Sequence, residues 1–323
     1  MTHASPEQLL QHRMQTIADF FGLGTINSES IARQHGTNEV YAVTTEKGGY
    51  IIKIIVNTTI DDIEHSLPYL QRLSEYSYPA AAYYLKAPNG TEIYRSDDGN
   101  AVVLQLLPGT MPELTEQVVR EGGKYLALLH LVPADGLPPK PHWIDNDFLP
   151  TALQEAVSMF GEDKLQETLN VYHSFGDFKP AHFPQSIIHG DLGYDHCLFV
   201  GDRLSAFLDW QDIGVTAALL DFAMASLGFC FREADEHSGM WAIFDPQLYT
   251  AFYESYTQVR PFTPDEERNI LTAIRYAGIT QPVWSMLYWQ QYHKGQEMVE
   301  TNLLYWKFGL DTLELPQLKG NLS

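Results

Sequence analysis

The sequence predicts an α+β protein of two lobes, a small β-rich N-terminal lobe and a larger, mostly helical C-terminal one. Three observations carry this expectation. Strand-like runs crowd the first third of the chain, a Pro108-Gly109 pair then punctuates it, and helical spacing dominates afterwards with one embedded β-rich block at Ile187–Asp209. At 323 residues the chain is also long for a single core. The expected division is an N-terminal lobe over residues 1–104, a hinge over 105–110 and a C-terminal lobe over 111–323.

Each element follows from local pattern. Residues 6–21 place Leu9, Leu10, Met14, Ile17 and Phe20–Phe21 at helical spacing, and Gly22 and Gly24 end the helix. Strand-like runs follow around Ser28–Arg33, Glu39–Thr45 and Tyr50–Val56, the last two joined by the hairpin signal Lys47-Gly48-Gly49. Asp61–Tyr76 puts Ile63, Leu67, Leu70 and Leu73 on one face and reads as an amphipathic helix. Two more strands are expected near Glu92–Ser96 and Ala101–Leu106, with a turn at Asp97–Asn100 between them. Thr115–Leu131 is then helical, and the proline-rich residues 132–142 form a loop. Helices are expected at about 147–175 and about 217–311, on either side of the β-rich block.

Composition narrows the function classes. There are 41 acidic against 20 basic side chains, a formal net charge of −21. Such a surface repels phosphate backbones and anionic lipid headgroups, so neither nucleic acid nor membrane is an expected partner, and amine-bearing ligands are slightly favoured. Cys197 and Cys230 cannot build a disulfide framework for a chain of this size. Residues 1–15 lack the apolar core of a signal peptide, and the apolar stretch Ala217–Phe231 is broken by Asp221 and too short for a bilayer. A cytoplasmic protein is expected.

The segment richest in chemistry is Ile187-Ile188-His189-Gly190-Asp191-Leu192-Gly193-Tyr194-Asp195-His196-Cys197, followed after a turn by Ala206-Phe207-Leu208-Asp209-Trp210. An apolar pair delivers His189 and Asp191 to a loop. A hairpin then runs out through Cys197–Val200 and returns to Asp209, and its pairing brings position 196 close to Asp209. Two carboxylates and a further potential ligand thus gather at one point. Phosphoryl transfer needs such a set: a carboxylate that orients the attacking hydroxyl, and hard ligands for a magnesium ion on the phosphates. Asp221 is placed to tie the following helix to this loop.

On these residues the sequence resembles the aminoglycoside phosphotransferase/choline kinase superfamily, whose fold is that of the protein kinases. In that pattern an H-x-D loop is followed by four residues and Asn, with a second Asp after a hairpin. The resemblance implies that Asp191 orients or deprotonates the substrate hydroxyl, that His189 braces the loop and that Asp209 binds Mg2+. Position 196 departs from the pattern: His stands where Asn is usual, as in the macrolide phosphotransferases, and is the candidate second metal ligand. Gly36-Thr37-Asn38 resembles the nucleotide-covering hairpin, with Gly36 and Asn38 as binding residues. Tyr50–Ile54 resembles the strand bearing the phosphate-contacting Lys53. Glu64 is its implied salt-bridge partner on the next helix, with Glu75 as the fallback. Val103–Gly109 resembles the hinge, where the backbone of Gln105 and Leu107 would pair with adenine. The resemblance covers about residues 28–290 and is nearest to the type II homoserine kinases, on the segments Tyr125–Leu131, Phe199–Ser205 and Tyr256–Thr263.

The implied activity is an ATP-dependent small-molecule kinase that moves the γ-phosphate to a hydroxyl, homoserine-kinase-like or aminoglycoside-phosphotransferase-like, with ATP and Mg2+ required. The alternative, motivated by His196, is a catalytically impaired kinase-fold protein that only binds nucleotide.

Overall fold

The structure is a computed structural model and describes residues 5–33, 38–56, 60–97, 99–138, 147–234, 242–290 and 308–319. The chain divides into two compact units. The first comprises Met1–Leu70 and Ala81–Pro108, the second Gln71–Ala80 and Gly109–Ser323.

The first unit is an antiparallel sheet with a helix on each face. Its strands are β1 (Ile26–Arg33), β2 (Glu39–Thr45), β3 (Gly48–Ile55), β4 (Ile93–Tyr94) and β5 (Asn100–Gln105), in the order β1-β2-β3-β5-β4. The β2–β3 turn is Glu46-Lys47, earlier than the glycines suggested. Gly48, at φ +138°, and Gly49 already belong to β3, pairing with Thr45 and Thr44. Gly49 is required there because a Cβ would lie 2.9 Å from the Leu106 side chain.

Alternation along β3 sorts its two faces. Ile52 and Ile54 are fully buried with Val43, Ala101 and Val103 under Met14, Ile17 and Ala18 of helix α1 (Pro6–Phe20). Ile55, on the opposite face, packs near Ile63 and Leu67 of helix α2 (Ile60–Glu75), with Ile93 and Val102. α1 starts at a capping box, in which Ser5 Oγ accepts from Gln8 N and Gln8 returns a bond to Ser5 N.

The unit boundary falls inside α2, whereas the sequence reading assigned all of residues 1–104 to the first lobe. The reason is local bonding of the segment Gln71–Ala80. Arg72 Nη1 donates to Pro133 O at 2.7 Å, Tyr78 Oη donates to Tyr125 O at 3.0 Å and Phe207 N donates to Ala80 O at 2.7 Å.

The second unit holds α3 (Glu116–His130), α4 (Phe148–Phe160), α5 (Glu162–Ser174), α6 (Ala218–Phe229), α7 (Pro246–Thr257) and α8 (Pro264–Gln290). Gly161, at φ +92°, separates α4 from α5. α3 lies close against α7 because Gly123 presents no side chain, and Gly122 likewise leaves room for the Phe229 ring of α6. A Cβ on Gly123 would come 2.6 Å from Phe252 O, and one on Gly122 would come 2.8 Å from the Phe229 ring. α6 is buried on nearly every side, as its predominantly apolar sequence requires, and it carries Asp221 into that interior. A two-stranded hairpin absent from the sequence reading, β10 (Phe231–Glu233) with β11 (Ala242–Phe244), lies between α6 and α7. Among the described residues no helix is long and apolar enough to cross a membrane.

Candidate active site

The site in the second unit is built from two short antiparallel pairs. β6 (Gln185–Ile188) pairs with β9 (Gly214–Ala217), and β7 (Cys197–Val200) pairs with β8 (Arg203–Phe207). Ile187 and Ile188 are fully buried, so β6 is fixed and releases the chain into the loop at His189. β9 falls between the β-rich block and the helix expected from about residue 217, where Ile213, Val215 and Thr216 are the β-branched residues.

One residue, Leu208, clamps the loop to the hairpin. Its N–H donates to His196 O at 2.8 Å, and its carbonyl accepts from His189 Nε2 at 2.9 Å. The hairpin thus brings position 196 beside the segment that leads into Asp209. Asp209 itself adopts a left-handed backbone, φ +60° and ψ +57°, which a non-glycine residue keeps only where its surroundings enforce it. The enforcement comes from Leu208 on one side. On the other, Trp210 is 2% exposed and its Nε1 donates to Phe207 O at 2.8 Å. The Trp210 ring packs 4.6 Å from the His189 ring and edge-on to Tyr78.

The loop backbone is held from below by Asp221. One carboxylate oxygen accepts from Gly190 N at 2.9 Å, and the other accepts from His189 N at 2.9 Å and from His130 Nε2 at 3.0 Å. Gly190 stands at φ +90°, a conformation that favours glycine. Asp221 is fully buried. Burial opposes its charge, but the hydrogen bonds from His130 and the loop prevail and hold its carboxyl below the ordinary range. Asp221 therefore ties helix to loop as its sequence position suggested.

His189 is buried, and burial depresses its imidazole to about 4, so the ring is neutral and its Nε2–H is the donor to Leu208. Its role here is bracing. Asp191 points out of the loop with its side chain partly open to solvent. Burial of its flanks raises its carboxyl above the usual value, His196 opposes this, and the carboxylates of Asp209, Asp195 and Asp221 add to the rise. His196 Nδ1 lies 2.6 Å from Asp191 O; a carbonyl only accepts, so Nδ1 carries the proton and Nε2 keeps its lone pair when the ring is neutral. Burial opposes protonation of that ring, but Asp191, Asp195 and Asp209 together outweigh it and lift its pKa.

His189, Asp191, His196 and Asp209 thus come together in the second unit. Among the described residues no three His, Cys, Asp or Glu side chains form a group that could hold a metal alone. Asp209 with His196 Nε2 supplies one hard donor and one nitrogen donor. Asp209 offers the hard oxygen that a magnesium ion prefers, and the His196 nitrogen is the weaker candidate ligand.

The candidate nucleotide residues lie in the first unit, except Gly36, which lies outside the described residues, and the fallback Glu75, which belongs to the second unit. Lys53 stands in β3 opposite Val40 and Val102, on the sheet face that carries Ile55. Glu64 on α2 is ion-paired with Arg95, and Glu75 pairs with Arg72 at 3.6 Å. Asn38 is 8% exposed, and its Oδ1 accepts from Val56 N at 3.0 Å, tying the start of β2 to the end of β3. Leu106 N donates to Gly49 O at 2.9 Å, so by strand alternation the peptide groups of Gln105 face away from β3.

Two features of the loop's support carried no assigned role in the sequence. His130 ends α3 on its buried face, where a histidine among leucines is the only available signal. Gly228 lets α6 touch the loop: a Cβ there would lie 2.6 Å from Gly193 Cα and 3.1 Å from Leu192 O. Cys197, whose Sγ donates to Gly193 O at 3.3 Å, and Cys230 are both buried free thiols, pushed well up in pKa by burial.

The sequence model of the APH, or phosphotransferase enzyme, family matches residues 32–262. The homoserine kinase of Methylocella silvestris is 24% identical over 283 residues, covering 84% of this chain and 84% of that protein. The aminoglycoside phosphotransferase of Alicyclobacillus acidocaldarius superposes with a TM-score of 0.65 at 15% identity, over 100% of this chain and 97% of the other. A spectinomycin phosphotransferase, solved with ADP and spectinomycin, superposes with a TM-score of 0.61 at 11% identity over 95% and 96%. At these identities the two structures show the protein-kinase-like fold alone.

Proposed function

The chain belongs to the phosphotransferase enzyme family and is a small-molecule kinase; on that premise we propose that it transfers the γ-phosphate of ATP to the hydroxyl of homoserine or a closely related amino alcohol. The observation that carries this reading is Asp191, a carboxylate of raised basicity, held at the mouth of a loop whose backbone is fixed by Asp221 and Leu208. Curated relatives named as homoserine kinases, matched over most of their length, support the acceptor class.

In the proposed mechanism Asp191 accepts a hydrogen bond from the acceptor hydroxyl and takes its proton as the oxygen bonds to the γ-phosphorus and ADP departs. His189 does not touch substrate; it keeps the loop and the Asp209 segment in register through Leu208. Asp209 and His196 are the residues that would hold magnesium, which when bound neutralises charge on the phosphates. Lys53 would offer its ammonium to a phosphate, and the outward-facing backbone of Gln105, with that of Leu107, would pair with adenine. Gly36 and Asn38 would contribute to the nucleotide cover. Glu64, whose Oε1 is engaged by Arg95, would share its carboxylate between Arg95 and Lys53. A cytoplasmic setting suits both substrates.

The test is an acceptor panel including L-homoserine, choline and an aminoglycoside, with coupled ADP detection, beside Asp191→Asn. The expected result is magnesium-dependent ADP release with an amino alcohol, reduced by about 10³-fold or more in the variant while nucleotide still raises its Tm. Wild-type turnover in Asp191→Asn would remove Asp191 from the chemistry. Preference for the aminoglycoside would move the acceptor class.

A further inference from the structure

The carboxylate that holds the loop is itself the end of a buried chain that extends past His130. His130 Nδ1 lies 2.7 Å from Tyr256 Oη, and the Arg260 guanidinium lies beside the Tyr256 ring. Arg260 Nη2 donates to Glu266 Oε1 at 2.8 Å, and its guanidinium lies 5.9 Å from the Tyr256 and Phe262 ring centres. Glu266 closes the chain on the start of α8: its other oxygen accepts from Thr263 N at 2.8 Å, and Thr263 Oγ1 accepts from Glu266 N at 3.2 Å. His130, Asp221, Tyr256 and Glu266 are essentially excluded from solvent, and Arg260 is 9% exposed.

Donor and acceptor chemistry gives this chain a single direction. Asp221, ionised, only accepts, so His130 Nε2 must carry the proton. Burial keeps the His130 ring from taking a second proton, so Nδ1 is an acceptor and Tyr256 O–H must donate to it. Each polar group thus has one possible role, from Tyr256 through His130 to Asp221 and the backbone of His189 and Gly190. Stability alone does not account for such an arrangement. Buried ionic groups are often replaceable by apolar ones without loss, and Arg260 Nη1 has no hydrogen-bond partner among the described residues.

We propose that Tyr256 is a positioning residue for phosphotransfer, its hydroxyl fixing the tautomer of His130 and thereby the seat of the Asp221 carboxylate under the His189–Asp191 loop. Tyr256 and Arg260 lie at the end of α7, remote in sequence from the loop, so the α7–α8 corner sets the aim of Asp191. The inference rests on the reading of Asp191 as the base.

The test compares Tyr256→Phe, which removes one hydroxyl and keeps the ring, with Phe252→Leu. Phe252 stacks on Phe229 in the same packed region and makes no side-chain hydrogen bond. With ATP and L-homoserine, or the acceptor returned by the panel, Tyr256→Phe is expected to lose at least tenfold in kcat with KM for ATP within twofold. Phe252→Leu is expected to lower Tm as much or more with kcat nearly unchanged well below its Tm. Nitrogen NMR of the wild type is expected to show His130 as the neutral Nε2–H tautomer with a hydrogen-bonded Nδ1. Wild-type kcat in a folded Tyr256→Phe, or kcat losses in both variants that simply track Tm, would overturn the proposal. So would an Nδ1–H tautomer or an imidazolium at His130, even if Tyr256→Phe does not fold. The expected tautomer in a wild type that transfers phosphate to no acceptor would instead overturn the role given to Asp191.

Discussion

His189 shows how a residue can sit inside a catalytic motif and act through structure. Its Nε2 is spent on Leu208 and its ring on Trp210, so what the H-x-D spacing reveals is a brace beside a solvent-open carboxylate. That brace has a pH signature. The folded protein holds His189 neutral down to about 4, while an unfolded chain takes up a proton below about 6.5. Its share of stability is therefore complete above about pH 6.5 and is lost as the pH falls towards 4, on the order of 3 kcal/mol across the window. His130, also depressed by burial, acts in the same direction. His189→Gln, which can still donate to Leu208, is expected to flatten the fall in unfolding free energy between about pH 7 and 4.5 in a urea-denaturation series. Parallel curves for variant and wild type would refute this account of the ring. At this scale the sequence was informative about placement, since the hairpin spacing already set position 196 beside the segment leading into Asp209. It was silent where a partner lies far along the chain: nothing near Glu64 announces that Arg95 will engage it, and nothing near His130 announces Tyr256.

Among elements, those with a strong period were legible and those defined by a partner were not. α1, α2, α3 and the β7–β8 hairpin fall where their apolar spacing put them, within a residue or two at the ends. β9 and the β10–β11 pair are three or four residues long and exist because a neighbouring strand satisfies their backbone, a fact no local window contains. α6 was legible as a buried helix, but its contact with the loop depends on one atom that is missing. Gly228→Ala would place a methyl 2.6 Å from Gly193 Cα, against backbone on both sides of the contact. Relief requires helix and loop to part, at a cost of about 1–3 kcal/mol. The variant is expected to fold with a lower Tm and to lose at least tenfold in kcat, because Gly193 is two residues from Asp191. A Gly228→Ala protein with unaltered Tm would mean that the contact is looser than described.

For the whole molecule, the α+β class was readable because strand-like runs crowd the first third of the chain and helical spacing dominates the rest. The assignment of Gln71–Ala80 to the second unit was not, since α2 has one continuous amphipathic pattern and the division rests on bonds made by Arg72, Tyr78 and Ala80. The two units also differ in a way that is useful at the bench. Cys197 and Cys230 are the chain's only cysteines, and both belong to the second unit. Protonated and shut away from solvent, they should resist iodoacetamide in the native protein and alkylate only on opening. In a denaturant titration the alkylated fraction is expected to follow the second unit alone, blind to melting of the β-sheet unit; early modification at low denaturant would contradict their placement. The enzyme thus carries its own unfolding clock, two buried sulfurs in the unit that holds Asp191, readable by mass without any added label.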